Sequence, residues 1–396
     1  MRPALLRRPL LALASAAFLL AACSESPQPT TTAPPPKPGP QVGSATTASG
    51  KQRIALLLPL SGRAAAIGQS MQQAAEMALF ESGAKDIALA SYDSGESAEQ
   101  AIEAYRKARI DGVALVLGPL FSNSAAALAS SVRQGGANVI AFSNDESAAQ
   151  RGVWIMGIAA PPQVRRVVDY SLQSGTKRFA TFAPRTSYGE QMSRVLESYV
   201  VQRGGTVVSA ELFEESSPDL RPAAERLAKE AKIGDSAAGK LAVLVPVSPP
   251  RVTTVLGALH GAGIDKASVQ FIGTGVWDTP GIGADAMLRG AWYAAPDPAR
   301  RADFERRFTA TYGRPPHRLA TLAYDAVSLA GQLARQKPGG DFSAEAITNA
   351  NGWSGIDGVF RFLPDGRVER TLAVIEVQGD RNTVVSPAPS SFVGTN

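Results

Sequence analysis

The chain has 396 residues, of which 44% are hydrophobic and 19% are charged, so its length predicts two lobes with an ordinary apolar core. The formal net charge is +5, but Arg2, Arg7 and Arg8 lie in an amino-terminal segment whose removal would leave 5 − 3 = +2. No basic cluster interleaved with aromatic residues occurs in the sequence, so it predicts no nucleic-acid partner.

The amino terminus has the pattern of a bacterial secretion signal. Three arginines precede an apolar run over residues 10–22, which is too short to span a bilayer and predicts a signal peptide over residues 1–22. The run ends in Leu20-Ala21-Ala22-Cys23. This ending resembles the lipobox of bacterial lipoproteins, in which the cysteine is lipidated. The alternative is an ordinary secretory signal that is cleaved after a small residue.

Cys23 is the only cysteine of the chain, which excludes a disulfide within it. Ser24 follows it instead of an aspartate. By resemblance to lipoprotein sorting in Gram-negative bacteria, this favours the outer membrane. Residues 23–51 are predicted to be a lipidated cysteine and a disordered tether rich in Pro and Thr, so the protein is expected to be lipid-anchored in the cell envelope and to face the periplasm.

Residues 53–145 alternate short apolar runs with segments of helical periodicity. Because the runs are apolar throughout, they predict a parallel sheet with helices on both faces. The predicted strands cover residues 54–60, 87–91, 113–117 and 138–142.

Small polar residues follow several of these strands. Ligands of open parallel sheets bind outside the carboxyl ends of the strands, so these residues are candidates for ligand contacts. The alternative is that they are ordinary helix caps and turn residues. The candidates are Ser61, Ser122, Asn123, Ser143, Asn144 and Asp145.

The same alternation restarts after Asp145. Apolar runs predict strands at residues 153–157, 179–182, 206–212, 241–247 and 270–273. Residues 291–294 are interpreted as a return strand, and helices are predicted over residues 302–312 and 318–336. The turn Pro364-Asp365-Gly366-Arg367 predicts a hairpin between residues 358–363 and 372–377.

In their order and spacing, several landmarks resemble the type I periplasmic-binding-protein superfamily, in its branch of receptors similar to branched-chain-amino-acid receptors. The landmarks are residues 54–62, 92–94, 113–119, 139–143, 188–189 and 323–327. The resemblance implies an α/β fold class with two doubly wound parallel-sheet lobes, a three-strand hinge and a ligand cleft between the lobes. It places the crossovers near Gly157, Gly290 and Gly355. The implied boundaries are residues 52–157 plus 291–355 for the first lobe and residues 158–290 plus 356–385 for the second.

Within this superfamily, the chain is most similar to outer-membrane lipoproteins that activate penicillin-binding proteins. The lipobox, the tether and residues 142–145, 273–278 and 356–362 carry this likeness. It implies a non-enzymatic protein that contacts a peptidoglycan synthase.

Amino-acid receptors of the superfamily hold the ligand carboxylate with a serine hydroxyl and backbone N–H groups at a helix start. They hold the ammonium group with a carboxylate, often from the second lobe. Ser122 matches the first element, and Tyr188 matches a tyrosine that closes over the ligand. Asp278 is the nearest acidic residue to the expected ammonium position. The second-lobe candidates are Tyr188, Thr274, Trp277 and Asp278. Tyr188 and Trp277 have the alternative of packing against the opposite lobe without ligand.

Catalytic and metal-binding patterns are absent from the sequence. His260 and His317 are far apart, no Gly-x-Ser-x-Gly motif or phosphate-binding glycine loop occurs, and no metal-ligand spacing is found. The sequence therefore predicts no enzyme, no cofactor and no metal.

Three hypotheses remain. The first is a lipid-anchored activator of a peptidoglycan synthase. The alternative is a solute receptor that delivers branched-chain or other amino acids, or a related small polar ligand, to an ABC permease. The third, an enzyme, would need a reactive pair of side chains facing each other across the cleft.

Overall fold

The computed structural model describes residues 50–379 and 381–392. The predicted signal peptide, the predicted lipidation site Cys23 and nearly all of the predicted tether lie outside the described residues. Within those residues, none of the helices has the length and apolar character needed to cross a membrane.

The described residues form strands that are numbered β1 to β15 from the amino terminus. In chain order they are β1 (Gln52–Leu58), β2 (Ile87–Asp93), β3 (Leu115–Leu117), β4 (Asn138–Ala141), β5 (Val153–Ile155), β6 (Arg178–Pro184), β7 (Thr206–Phe213), β8 (Leu241–Leu244), β9 (Gln270–Gly273), β10 (Trp292–Ala295), β11 (Trp353–Gly355), β12 (Gly358–Phe362), β13 (Val368–Arg370), β14 (Ala373–Glu376) and β15 (Thr383–Ser386).

Most of the helices connect successive strands. They are α1 (Ala65–Glu81), α2 (Ala98–Ile110), α3 (Ser122–Arg133), α4 (Ala160–Gln173), α5 (Ser187–Gln202), α6 (Arg221–Glu230), α7 (Arg251–Gly261), α8 (Pro298–Tyr312), α9 (Ala320–Arg335) and α10 (Ala344–Ile347).

The first sheet has the order β2-β1-β3-β4-β5, and all of its strand pairs are parallel. Successive side chains of a strand point to opposite faces. Ile54 and Leu56 of β1 therefore pack on one face with α1 and α9, whereas Ala55 and Leu57 pack on the other with α2 and α3. This burial on both faces explains why residues 54 to 58 of the strand are all apolar.

The second sheet has the order β15-β14-β10-β9-β8-β6-β7. Strands β6 to β10 pair in parallel, β14 runs antiparallel to β10, and β15 runs antiparallel to β14. Helices α4 and α5 cover one face and α6 and α7 cover the other. The predicted fold class, two doubly wound α/β lobes, is confirmed.

A third, antiparallel sheet of β11, β12 and β13 packs on the first lobe. Its side chains Trp353, Phe360 and Phe362 belong to the apolar core that α1 and α9 share. The chain therefore passes between the lobes three times, at residues 156–159, 296–297 and 371–372.

Two of the predicted crossover positions are wrong. Trp292 of β10 pairs with Ile272 of β9, so residues 291–295 continue the second sheet and do not return to the first lobe. Gly290 has a positive φ of 90° and belongs to the turn that leads into β10. Gly355 pairs with Gly358 across the β11–β12 turn, so residues 356–370 belong to the first lobe.

The predicted hairpin is right about its turn and wrong about its second strand. Phe362 pairs with Val368 across the Pro364–Arg367 turn, so the partner of β12 is β13. The apolar run that was expected to form this partner is β14, which pairs with β10 in the second sheet. The Pro364–Arg367 turn has a strong sequence signal, so the reversal after β12 could be predicted. The third crossover, at residues 371–372, has no comparable signal.

Candidate functional site

A cavity of about 500 Å³ lies between the lobes, at the carboxyl ends of strands from both sheets. This volume is in the range of pockets that hold a small molecule. The first lobe contributes Ile67, Leu120, Phe121, Ser122, Phe142, Ser143, Asn144, Arg301, Arg318, Leu319, Thr321, Leu322 and Asp357. The first crossover and the second lobe contribute Gly157, Ile158, Ala160, Gln163, Tyr188, Gly275, Val276, Ala295 and Pro296.

Of the predicted ligand contacts, Ser122, Ser143, Asn144 and Tyr188 line this cavity. Ser122 is the first residue of α3, after an extended Phe121. The first N–H groups of a helix have no acceptor within it, and the helix dipole makes this end favourable for negative charge. Among the described residues, no acceptor is paired with the backbone N–H of Ser122. The first-lobe rim of the cavity therefore presents hydrogen-bond donors.

The polypeptide after β4 packs tightly against the first crossover. The N–H of Gly157 donates to the Ser143 carbonyl oxygen at 3.0 Å, and a Cβ at position 157 would overlap that oxygen. Glycine is therefore required for the crossover to pass so close to the rim of the cavity.

Asp145 does not line the cavity. Its N–H donates to Ser143 Oγ at 3.0 Å, and its Oδ1 accepts from the N–H of Ser147 at 3.0 Å, which caps a short 3-10 turn. Hydrogen bonds from the Ser147 hydroxyl and N–H lower the pKa of the Asp145 carboxyl. Asp145 therefore acts as a turn residue, which was the alternative to a ligand contact. A hydrogen bond with the Ser122 side chain also lowers the pKa of Asp145, so its carboxyl lies beside a residue that lines the cavity.

Ser61 and Asn123 are not among the residues that line the cavity, and both are exposed, Ser61 on the loop after β1 and Asn123 in the first turn of α3. Asn123 Oδ1 accepts from the N–H of Ser124 at 2.8 Å at the start of α3. The Ser61 side chain hydrogen-bonds Asp93. Burial acts to raise the pKa of Asp93, but this hydrogen bond and others from the backbone lower it overall. Ser61 therefore holds the loop after β1 against Asp93, and Asn123 supports the first turn of α3.

Tyr188 and Thr274 form a hydrogen-bonded pair on the second lobe. Thr186 caps α5 by accepting from the N–H of Gly189, which places Tyr188 in the first helical turn. The Tyr188 hydroxyl and Thr274 Oγ1 are 2.7 Å apart. Burial raises the pKa of Tyr188. Thr274 is fully buried and does not line the cavity, so it supports Tyr188 from behind.

Trp277 was predicted to contact ligand, and the structure corrects this. The side chain is fully buried in the second-lobe core, where its Nε1 donates to the Val247 carbonyl oxygen at 2.9 Å. Its ring lies against Gly273, where a Cβ would overlap it. A tryptophan with a satisfied N–H and an enclosed ring is a core residue.

Asp278 does not line the cavity either, because two arginines bind it. Its Oδ2 is 2.8 Å from Arg301 Nη1 and 2.8 Å from Arg318 Nη1, and its Oδ1 accepts from the Tyr293 hydroxyl at 3.3 Å. Both arginines belong to the first lobe and Asp278 belongs to the second. These ion pairs therefore join the lobes across the edge of the cavity.

Arg301 also binds a buried carboxylate. Its Nη2 is 2.8 Å from Asp357 Oδ1, and Thr321 Oγ1 donates to Asp357 Oδ2 at 2.6 Å. Burial alone would raise the pKa of Asp357, but Arg301 and Arg370 lower it. Burial likewise acts to lower the pKa of Arg301, whereas Asp357 and Asp278 raise it. Both groups are therefore charged.

A second buried carboxylate lies behind this network. Asp325 Oδ1 accepts from the N–H of Ile356 at 2.8 Å, and burial followed by the nearby Asp357 raises the pKa of Asp325 to about 7. Arg370 donates to the Met156 carbonyl oxygen at 3.1 Å and to the Asp357 carbonyl oxygen at 3.3 Å. Arg370 therefore connects the first crossover with the third, next to Asp325.

Sequence reasoning missed Arg301, Arg318 and Asp357. The Arg300-Arg301 pair has the pattern of a solvated helix face, yet Arg300 is exposed and the Arg301 side chain is only 11% exposed. The helical periodicity could have indicated the burial of Arg301, because it lies three residues before Phe304 and seven before Phe308. Residues at these spacings share a face of the helix, and both phenylalanines are buried. Asp357 and Arg318 have no comparable signal.

No group of three potential metal-ligating His, Cys, Asp or Glu side chains occurs among residues 50–379 and 381–392. His260 and His317 are both exposed and lie outside the cavity lining.

Comparison with solved structures shows the same fold. A putative branched-chain amino acid ABC transporter protein from Rhodospirillum rubrum has a TM-score of 0.72 and 20% sequence identity, over 85% of this chain and all of that chain. An ABC transporter substrate-binding protein from Desulfitobacterium hafniense, in complex with Leu, has a TM-score of 0.61 and 18% identity, over 85% of this chain and 100% of that one.

Among curated proteins, an uncharacterized protein of Rickettsia prowazekii is 22% identical over 218 residues. That similarity spans 54% of this chain and 58% of the relative, so it covers little more than half of either protein.

A family model described as "Periplasmic binding protein" matches residues 51–382, which is most of the chain and both lobes. The chain therefore belongs to the periplasmic binding protein family.

Proposed function

We propose that this protein is a non-enzymatic receptor that binds a small polar solute between its lobes, on the periplasmic side of the membrane, and delivers it to an ABC permease. The observation that carries the proposal is the cavity of about 500 Å³ between two hinged lobes. Its proposed ligand contacts are Ser122, Ser143, Asn144 and Tyr188.

The arrangement of the chain supports closure of the lobes around a ligand. Three separate crossovers join the lobes, and the proposed moving bodies are residues 52–155 with 298–370 and residues 160–295 with 373–386. The names of similar structures support a transport role, because both are described as ABC transporter proteins and one holds Leu.

The activator of a peptidoglycan synthase, which the resemblance placed first, now ranks second. The features that favoured it most, the lipobox and the tether, lie outside the described residues. Within those residues, no observation favours a synthase contact over a small ligand. The cavity reverses the order of the two hypotheses.

A thermal-shift screen of the full chain tests the proposal. The ligand set contains amino acids, organic acids and peptidoglycan fragments, each at about 1 mM. A ligand at about 100 times its Kd stabilises the folded state by about 2.7 kcal/mol, which raises Tm by several degrees. We expect at least one amino acid or organic acid to do so. If no compound raises Tm, or only peptidoglycan fragments do, the receptor hypothesis is wrong.

A further inference from the structure

We propose that the cleft selects a small organic carboxylate and does not require an ammonium group on it. This inference rests on the proposed receptor function and narrows its ligand class. It follows from the partners of the charged side chains in and beside the cavity.

Among the described residues that line the cavity, no carboxylate is free to bind an ammonium group. Asp357 is the one acidic side chain among the described residues that line it. This side chain is 1% exposed, and its two oxygens are bound by Arg301 and Thr321. An ammonium group that approached Asp357 would first have to displace a buried guanidinium.

Asp278, the acidic residue of the second lobe that the resemblance suggested as an ammonium contact, is equally engaged. Its Oδ2 is shared by Arg301 and Arg318, and its Oδ1 accepts from Tyr293. Breaking a buried ion pair leaves an uncompensated charge. The Asp278 carboxylate is therefore already paired with the protein's own cations.

Donors for a carboxylate remain available. The side chain of Arg318 is 43% exposed and lines the cavity, and among the described residues only its Nη1 has a partner, which is Asp278. A guanidinium has five N–H donors, so Nε and Nη2 are left for a ligand. The start of α3 at Ser122 lines the same cavity and supplies a backbone N–H in a favourable helix dipole.

The remaining walls suit an apolar chain or ring attached to the carboxylate. They include Ile67, Leu120, Phe121, Phe142, Val276 and Leu322. Hydrophobic walls with a few polar groups that fix orientation are the usual composition of small-molecule pockets.

Calorimetric titration of the full chain with matched ligands tests this inference. One set is leucine, 4-methylpentanoate and 3-methylbutylamine, which share a carbon skeleton and differ in their charged groups. The second set is phenylalanine, 3-phenylpropanoate and 2-phenylethylamine. We expect a carboxylate of at least one set to bind at least as tightly as its amino acid, and neither amine to bind.

The outcomes separate the two proposals. If an amino acid binds at least tenfold more tightly than its carboxylate analogue, the inference is wrong and the receptor function stands. If no member of either set binds at millimolar concentration, the inference is wrong, and the broader thermal-shift screen decides the receptor function independently.

A variant pair tests the role of Arg318. We expect Arg318→Gln to weaken binding of the carboxylate at least tenfold. Arg314→Gln is the matched control, because Arg314 is exposed on the same connection, binds Gln73 and does not line the cavity. Equal affinities of the two variants would overturn the assignment. Their melting temperatures without ligand show whether a loss of binding reflects a loss of folding.

Discussion

The two rims of the cleft differ in how their polar groups are used. On the first-lobe rim, Ser122 presents the start of α3 to the cavity, and Arg318 has N–H groups without a partner among the described residues. On the second-lobe rim, Tyr188 is bound to Thr274, and Asp278 is bound to two arginines. The first rim therefore has capacity to bind an anion, whereas the polar groups of the second are engaged in its own support and in the contact between lobes.

The largest expected effect comes from breaking the contact between the rims. Arg301→Gln removes the bridge to Asp278 and leaves the buried Asp357 without its closest cation. Removing one partner of a buried ion pair costs about 3–5 kcal/mol. We expect a loss of this size in the free energy of unfolding, measured with urea.

Arg300→Gln is the control for that variant. Arg300 is the neighbouring residue on α8, but it is exposed, and among residues 50–379 and 381–392 it donates to Ser354 and to the Gly355 carbonyl oxygen. Its loss should cost less than about 1 kcal/mol. Equal effects of the two variants would contradict the proposed importance of the bridge.

The next effect concerns the two buried carboxylates behind the rims. Burial raises the pKa of Asp325 to about 7, so the folded protein keeps a proton that the unfolded chain releases near the ordinary aspartate pKa of 3.8. The stability that this proton provides is fully present below about pH 4 and is lost as pH rises through about 7. Asp325→Asn should therefore remove a decline of about 2 kcal/mol between about pH 5.5 and pH 8.

Urea unfolding at a series of pH values measures this effect. Asp86→Asn is the control, since Asp86 is exposed. The wild type and this control should decline in parallel with rising pH, and Asp325→Asn should not. A curve for Asp325→Asn that follows the wild type would show that Asp325 does not titrate in this range.

A smaller effect is expected on the second-lobe rim. Tyr188→Phe removes the hydrogen bond to the buried Thr274, which should cost about 1–2 kcal/mol in the free energy of unfolding. Tyr170→Phe is the matched control, because no hydrogen bond of its hydroxyl to another described residue is present. If Tyr188→Phe is as stable as this control, the second rim does not depend on the pair.

The smallest effect is expected for a residue that the sequence placed in the site and the structure places outside it. Ser61 is exposed and does not line the cavity. Ser61→Ala should change the Kd of a bound ligand by less than about twofold, since an uncharged surface change outside a site alters little binding free energy. A tenfold loss of affinity, measured by calorimetry, would show that Ser61 belongs to the binding site.

The sequence predicted the layered fold because central strands that are buried on both faces are apolar at successive positions. Ile54 to Leu58 are apolar at every position, and this pattern has few structural solutions. It did not predict which sheet β10 joins, because a four-residue run, Trp292–Ala295, has the same appearance in either lobe. β10 joins the second sheet because it pairs with β9, and the residues of β10 themselves contain no pattern that indicates this partner.

The site was predicted less completely, for a similar reason. Ser122 and Ser143 follow strands, and strand ends converge in any parallel sheet, so position alone identified them. Whether a polar residue faces the cavity or binds a neighbour depends on contacts between distant segments. Asp278 and Arg301 illustrate this, because each acquires its role only when the two lobes meet.

The central claim, that the cavity between the lobes binds a small molecule, is tested most directly by obstructing it. The best ligand of the screen is titrated calorimetrically into Ser122→Trp and into Asn123→Trp. Position 122 lines the cavity, whereas position 123 is the adjacent, exposed residue of the same helix. We predict that Ser122→Trp abolishes binding and that Asn123→Trp retains it with one ligand per chain. Unchanged affinity in Ser122→Trp would contradict the account.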